Sequence, residues 1–227
     1  DWSSNVCSSD LWDGRAYLLD RCELAYSPSA ALYCSPPAGL GAQSALFVAF
    51  SAGHTISAEE EVRAAASRTP NAAVLIDPSL AELAAAFANP HRLVHIAGHA
   101  GVDAVTGRLS WIETGGGRLT QREIAELTIR AEVIVTTGCQ TAQRAIRPGD
   151  EWQGLMRAFY LCGTKTIVSA LWEIRDESAL RFASHFYNIA PAEGFQPAVT
   201  SAMKRVRDWR EHPYFWAAFA EIGRAHV

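Results

Sequence analysis

Lysine is nearly missing from this chain: Lys165 and Lys204 are the only two, no basic cluster occurs, and the formal net charge is -4. A nucleic-acid surface dominated by basic charge is thereby excluded. The many arginines and alanines reflect compositional bias and indicate no function. No apolar run approaches the length of a membrane span, and no charged start followed by an apolar stretch suggests a signal peptide, so a cytoplasmic protein is expected. The five cysteines, Cys7, Cys22, Cys34, Cys139 and Cys162, are odd in number, irregularly spaced and without a CxxC pair. That fits reduced thiols better than a disulfide framework or a zinc site. The triple glycine Gly115 to Gly117 lacks the lysine and following serine or threonine of a phosphate loop, so it reads as a hairpin turn and gives nucleotide binding no support. Neither an internal repeat nor an interdomain linker is found.

What is present is an ordinary globular composition, 49% hydrophobic and 19% charged over 227 residues, enough for a large core. The termini read differently from the rest. Written as codons, Ile222 to Val227 gives on the opposite strand the run Asn5 to Asp10, the mark of adapter read-through on an assembled fragment. Residues 1–11 and 224–227 are therefore expected to be adapter-derived, with one domain over 12–223 and a natural protein that continues beyond both ends. Cys7 then has no significance.

Along the chain, strand and helix patterns alternate. Trp12 to Tyr33 reads as a β-hairpin or strand pair that ends in Ser27-Pro28-Ser29. Ala45 to Phe50, Ala72 to Asp77, Leu93 to His99, Val133 to Gly138 and Thr166 to Trp172 are short apolar runs that read as buried strands. Helices are expected at Ser57 to Arg68 with a Ser57/Glu60 capping box, at Pro78 to Asn89, and at Thr120 to Arg130 with a Thr120/Glu123 box. Three more follow at Asp150 to Leu161, Asp176 to Ile189 and Pro197 to Glu211. A short strand over Gly107 to Thr114 precedes the triple glycine. Such alternation implies an α/β domain with a mostly parallel sheet, covered on both faces and joined by right-handed crossovers.

Two of these strands end in glycine and one reactive side chain: VHIAGHAG in His99 and VIVTTGCQT in Cys139. Parallel sheets put their chemistry at the carboxyl ends of strands. An imidazole and a thiol delivered to one edge are the minimum equipment of a cysteine hydrolase, because the imidazole stabilises the thiolate and then protonates the leaving amine. The competing reading of Cys139, taken alone, is a small buried hydrophobe. His95 and His99 do not make a zinc pair: four strand residues at about 3.3 Å each hold them roughly 13 Å apart. His95 is instead a core side chain or one that supports the pair. Neither metal nor cofactor is expected.

On these residues the chain resembles a CHAT domain, a caspase-like family in the fold group of caspases, separases and gingipains. The resemblance runs from Trp12 to Gly223 through YSPSAALY, HIAGH, LTQREIAEL, the GC-x-T piece at Gly138 to Thr141, GDEWQGLMRAFYLCG, SALWEIRDES and HPYFWAAFAEIG. It implies a caspase-like three-layer α/β/α sandwich and peptidase activity on a protein or peptide substrate. His99 matches the family's catalytic histidine and Cys139 its nucleophile. Backbone N–H groups at Cys139 and at Ala100 and Gly101 would hold the oxyanion, with Gly138 beside the cysteine. The family usually has glycine where Ala100 stands and alanine where Gly138 stands. Trp172 and Asp176 flank the corner where caspase-like proteins build the pocket for the residue before the cut. Asp176 would there select a basic side chain, or serve as the N-cap of the next helix. The aromatic cluster Tyr214, Phe215, Trp216 and Phe219 reads as core closure. The family resemblance also implies a bacterial effector whose CHAT domain follows an N-terminal region such as tetratricopeptide repeats. The alternative from another class is a catalytically inert CHAT-like scaffold that binds protein partners.

Overall fold

A computed structural model describes residues 10–27, 41–51, 56–102, 110–137, 155–172 and 174–223. Its centre is a sheet of seven strands: β1 (Ala25–Tyr26), β2 (Ala45–Phe50), β3 (Ala72–Ile76), β4 (His91–Gly98), β8 (Ala131–Thr136), β9 (Thr166–Ala170) and β10 (Phe219–Gly223), in the order β1-β10-β9-β8-β4-β2-β3. The five strands read from the sequence are all there and mutually parallel. β10 runs antiparallel to β9 and parallel to β1. A separate three-stranded antiparallel sheet, β5 (Ala100–Val102), β6 (Ser110–Thr114) and β7 (Gly117–Thr120), leaves the main sheet directly after His99. Its β6–β7 hairpin turns on Gly115 and Gly116, as the triple glycine predicts.

Helices cover both faces. On one lie α1 (Ile56–Ala66), α5 (Asp176–Glu193) and α6 (Phe195–Trp209), packed on the odd-numbered side chains Phe47, Leu93, Val133 and Val135 and on Val168 of β9, whose register against β8 reverses the parity. On the other lie α2 (Leu80–Phe87), α3 (Gln121–Glu126) and α4 (Leu155–Leu161), packed on the even-numbered Leu46, Val48, Val94, Ile96 and Ile134 and on Ile167 of β9. The alternation of strand side chains thus feeds two cores. Burying each such side chain contributes about 1.5–3 kcal/mol. Capping boxes start α2 (Ser79 with Glu82) and α3 (Thr120 with Glu123), the second where the sequence predicts it.

Four expectations are corrected. Among the described residues, the segment from Trp12 forms no hairpin of strands. Trp12 and Tyr17 make one isolated bridge, a 3-10 turn follows at Leu18–Asp20, and Ala25–Tyr26 pairs with β10. Its alternation serves anchoring instead: Leu19 enters the core and the Asp20 carboxylate accepts two hydrogen bonds from Arg207, at 2.7 and 2.9 Å. Positions 28–33 lie outside the described residues. Ser57 lies inside α1, not at its cap. Asp176 is the first residue of α5, whose N-cap is Arg175, so its charge meets the helix dipole from within the first turn. β10 was not read as a strand, because the buried Glu221 interrupts its apolar run. In the aromatic cluster, Trp216 and Phe219 are core while Tyr214, on the short α7 (Pro213–Trp216), is exposed. Among the described residues, no helix is long and apolar enough to cross a membrane.

Candidate active site

β4 delivers His99 to the carboxyl edge of the sheet through Gly98. That glycine has φ 155°, and a Cβ there would lie 3.0 Å from both Cβ and O of Phe50, its partner across β2. Only glycine permits this close approach in that backbone conformation. His99 itself is half-buried, and its carbonyl accepts the Glu113 N–H at 2.8 Å. The β5–β7 hairpin therefore grips the backbone beside the imidazole.

The ladder sorts the two N–H groups that follow. With Glu113 N–H bonded to His99 O, the pairing of Ala100 with Ile112 is the non-hydrogen-bonded kind and that of Gly101 with Trp111 the hydrogen-bonded kind. The Gly101 N–H is thus committed to β6, while the Ala100 N–H points away from it. Gly101 serves packing: a Cβ there would meet the Trp111 ring at 2.7 Å. Trp111 in turn stacks under the Arg118 guanidinium, 4.0 Å from the ring centroid.

β8 runs beside β4 in a register with a constant offset of forty: Leu93 with Val133, Val94 with Ile134, His95 with Val135, Ile96 with Thr136. At its carboxyl end the Thr136 hydroxyl lies 2.9 Å from the Ser169 hydroxyl, and Thr137 donates to Glu61 Oε1 at 2.5 Å. Gly138 and Cys139 lie outside the described residues. β9 ends at the same edge. Beyond it, half-buried Trp172 donates its indole N–H to the Tyr214 carbonyl at 3.1 Å. Exposed Asp176 follows at the start of α5.

Two features escaped the sequence reading. The first is a cleft of about 660 Å³ at the carboxyl ends of β2 and β3, lined by Phe50, Asp77, Leu80, Thr114, Arg118 and Glu123 among others. Asp77 adopts a left-handed backbone with φ 45°, and its carboxylate accepts both the N–H and the hydroxyl of Ser51. Leu80 is exposed into the solvent beside it. The second is Glu61, a carboxylate buried between α1 and the sheet within reach of His95 and Thr137. A signal for it existed: His95 in the middle of a buried strand requires a polar partner, but nothing in the spacing says which.

Cys162 sits on the opposite face. Its thiol donates to the Ile124 carbonyl at 2.9 Å, and burial pushes its pKa up to about 11. It is a packing residue and no nucleophile at neutral pH. Among the described residues, no group of three histidine, cysteine or acidic side chains is placed to hold a metal ion.

Comparison with known proteins bears on this geometry. Residues 6–224 match the family described as the CHAT domain. Curated proteins give no match in sequence. Among solved structures, the Saccharomyces cerevisiae separase in its complex with securin superposes with a TM-score of 0.59 at 17% identity, over 80% of this chain and 12% of that one. The Arg-specific cysteine proteinase gingipain R superposes with a TM-score of 0.59 at 11% identity, over 85% of this chain and 49% of that one. A complex of the pro- and mature domains of Porphyromonas gingivalis RgpB gives 0.55 at 12%, over 85% and 50%. The chain thus spans about half of the gingipain and about an eighth of the separase, and shares their caspase-like fold.

Proposed function

We propose, from the premise that this chain belongs to the CHAT domain family, that it is a cysteine endopeptidase with Cys139 as nucleophile and His99 as acid and base. The observation that favours it most is the offset of forty between β4 and β8. Continued three residues past Ile96 and Thr136, the same offset couples position 99 with position 139. Covalent reach agrees, since two residues beyond Thr137 span at most about 7 Å.

In this reading the Cys139 thiolate attacks the peptide carbonyl while His99 carries the proton to the leaving amine, and water then releases the acyl-enzyme. The Ala100 N–H, left unused by β6, and the N–H of Cys139 serve the oxyanion, with Gly138 admitting close approach. Gly101, whose N–H the ladder uses, has a packing role. The cleft at the ends of β2 and β3 opens on the same edge and accommodates part of an extended peptide. Trp172 walls the pocket for the residue before the cut, and Asp176, exposed and not a cap, offers a carboxylate to a basic side chain there. Gingipain R, of the same fold, is Arg-specific. We place the protein in a reducing cytoplasm, in a bacterium, with a repeat region N-terminal to the domain. Residues 1–11 and 224–227 are taken as adapter-derived.

A second reading, an inert scaffold that binds protein partners, draws on Ala100, which replaces the usual glycine and narrows the backbone angles available after His99. Separase, of the same fold, is held in a complex with securin. One experiment separates the two: a peptide library presented to the purified domain with its natural N-terminal context restored. Cleavage that disappears in Cys139→Ala supports the peptidase. No cleavage by wild type, or cleavage undiminished by Cys139→Ala, supports the scaffold.

A further inference from the structure

On the face of the sheet toward α1 and α5, four polar side chains meet inside the apolar core. His95, 0% exposed, stacks on Phe47 with ring centroids 5.7 Å apart, and its Nδ1 lies 2.7 Å from the Tyr187 hydroxyl. Its Nε2 lies 2.9 Å from Glu61 Oε1, an ion-pair distance without the alignment of a hydrogen bond. The same oxygen accepts the Thr137 hydroxyl at 2.5 Å. Tyr187 is itself buried, and burial together with the nearby Glu61 charge holds its phenol well above the ordinary range, so it stays protonated.

Packing alone does not explain this group. A carboxylate and an imidazole taken out of water cost several kcal/mol each in lost solvation, and apolar side chains of similar volume would stabilise the fold at least as well. What the polar version adds is direction. One carboxylate oxygen on α1 touches β4 through His95 and the end of β8 through Thr137. These are the two strands whose ends the proposed dyad uses.

We infer that Glu61 is a positioning residue for the nucleophile: it ties Thr137 to His95 and so fixes the direction in which β8 leaves the sheet toward Cys139. The inference rests on the peptidase reading above. Its consequence is that the Cys139 thiol keeps its approach to His99 only while Thr137 is held.

The test measures iodoacetamide alkylation of each cysteine by peptide mapping of the full chain between pH 5 and 10, with exposed Cys22 as internal reference. In wild type, the alkylation midpoint of Cys139 is expected below that of Cys22. Thr137→Val, which keeps the branching and removes the hydroxyl, is expected to move the Cys139 midpoint up toward the ordinary thiol value of about 8.5 and to slow its alkylation at pH 7 about tenfold. Cys22 should be unchanged, and Thr137→Ser should restore the wild-type profile. If Thr137→Val does not fold, Glu61→Gln, of nearly the same volume, reads the same shift. A Cys139 profile that stays at wild type in a variant, or Cys22 moving in parallel with it, overturns the inference and leaves the peptidase reading intact. A wild-type Cys139 that titrates like Cys22 overturns both.

Discussion

The two faces of the central sheet each carry an apolar core but differ in chemistry. Toward α2, α3 and α4, the central strands present the aliphatic and aromatic side chains Leu46, Val48, Phe50, Val94, Ile96 and Ile134, with one buried hydroxyl pair, Thr136 and Ser169, among them. Toward α1 and α5, the same strands interleave Phe47, Val133 and Val135 with His95 and Thr137, and the helices answer with Glu61 and Tyr187. Strand alternation assigns odd positions to the second face, and the offset of forty keeps that parity across β4 and β8. One face therefore specialises in stability, and the other accepts costly polar burial where the proposed chemistry emerges.

The comparison breaks most visibly at the dyad. His99→Ala and Cys139→Ala should each lower peptide cleavage by on the order of a thousandfold or more without unfolding the domain, read by kcat/KM and Tm together. Next in size is a pair of substitutions that set one face against the other. Glu61→Ala strands His95 and Thr137 without their carboxylate and should cost about 3–5 kcal/mol in denaturant unfolding. Ile134→Ala, on the aliphatic face, should cost about 2–5 kcal/mol through its cavity. The sharper contrast is the triple variant Glu61→Leu, His95→Phe, Thr137→Val: stability should return to near wild type while cleavage does not.

A third polar burial gives the comparison a pH axis. Glu221 in β10 has its carboxyl pushed from the ordinary value of 4.5 up to about 8 by burial, with the Glu23 charge adding to it. A raised carboxyl keeps its proton in the folded state where the unfolded chain has lost it. Its contribution is full below about 4.5 and is lost as pH rises to about 8. Tm should fall across that window, and Glu221→Gln should flatten the slope. Smaller still is Gly101→Ala, whose Cβ would meet Trp111 and should cost about 1–3 kcal/mol. Ser79→Ala, which removes the cap of α2 on the aliphatic side, should cost about 1 kcal/mol in denaturant unfolding.

The aliphatic face was legible in the sequence and the polar face much less so. Ala45 to Phe50 and Thr166 to Ala170 announce themselves because a strand buried on both faces is a continuous apolar run. The capping box of Thr120 with Glu123 is local, and a local signal reads directly. What escaped depends on residues far apart in the chain. Glu61 meets Thr137 across 76 positions and Tyr187 meets His95 across 92. β10 was missed because its Glu221 breaks the apolar pattern, and the Trp12 segment was misread because its alternation reflects anchoring by Leu19 and Asp20. For the candidate site, His99 was proposed from its place at a strand end, and the structure puts it directly after β4. The assignment of its two following N–H groups needed the β5–β6 register.

The central claim is that β4 and β8 bring an imidazole and a thiol together at one edge of the sheet. The separation of the His99 ring from the Cys139 sulfur in a crystal structure tests it most directly. The account predicts a ring nitrogen within about 4 Å of the sulfur, close to hydrogen-bond reach, with a groove open past both. A thiol more than about 8 Å away, beyond any single bridging water, or one packed out of reach of solvent, would contradict it.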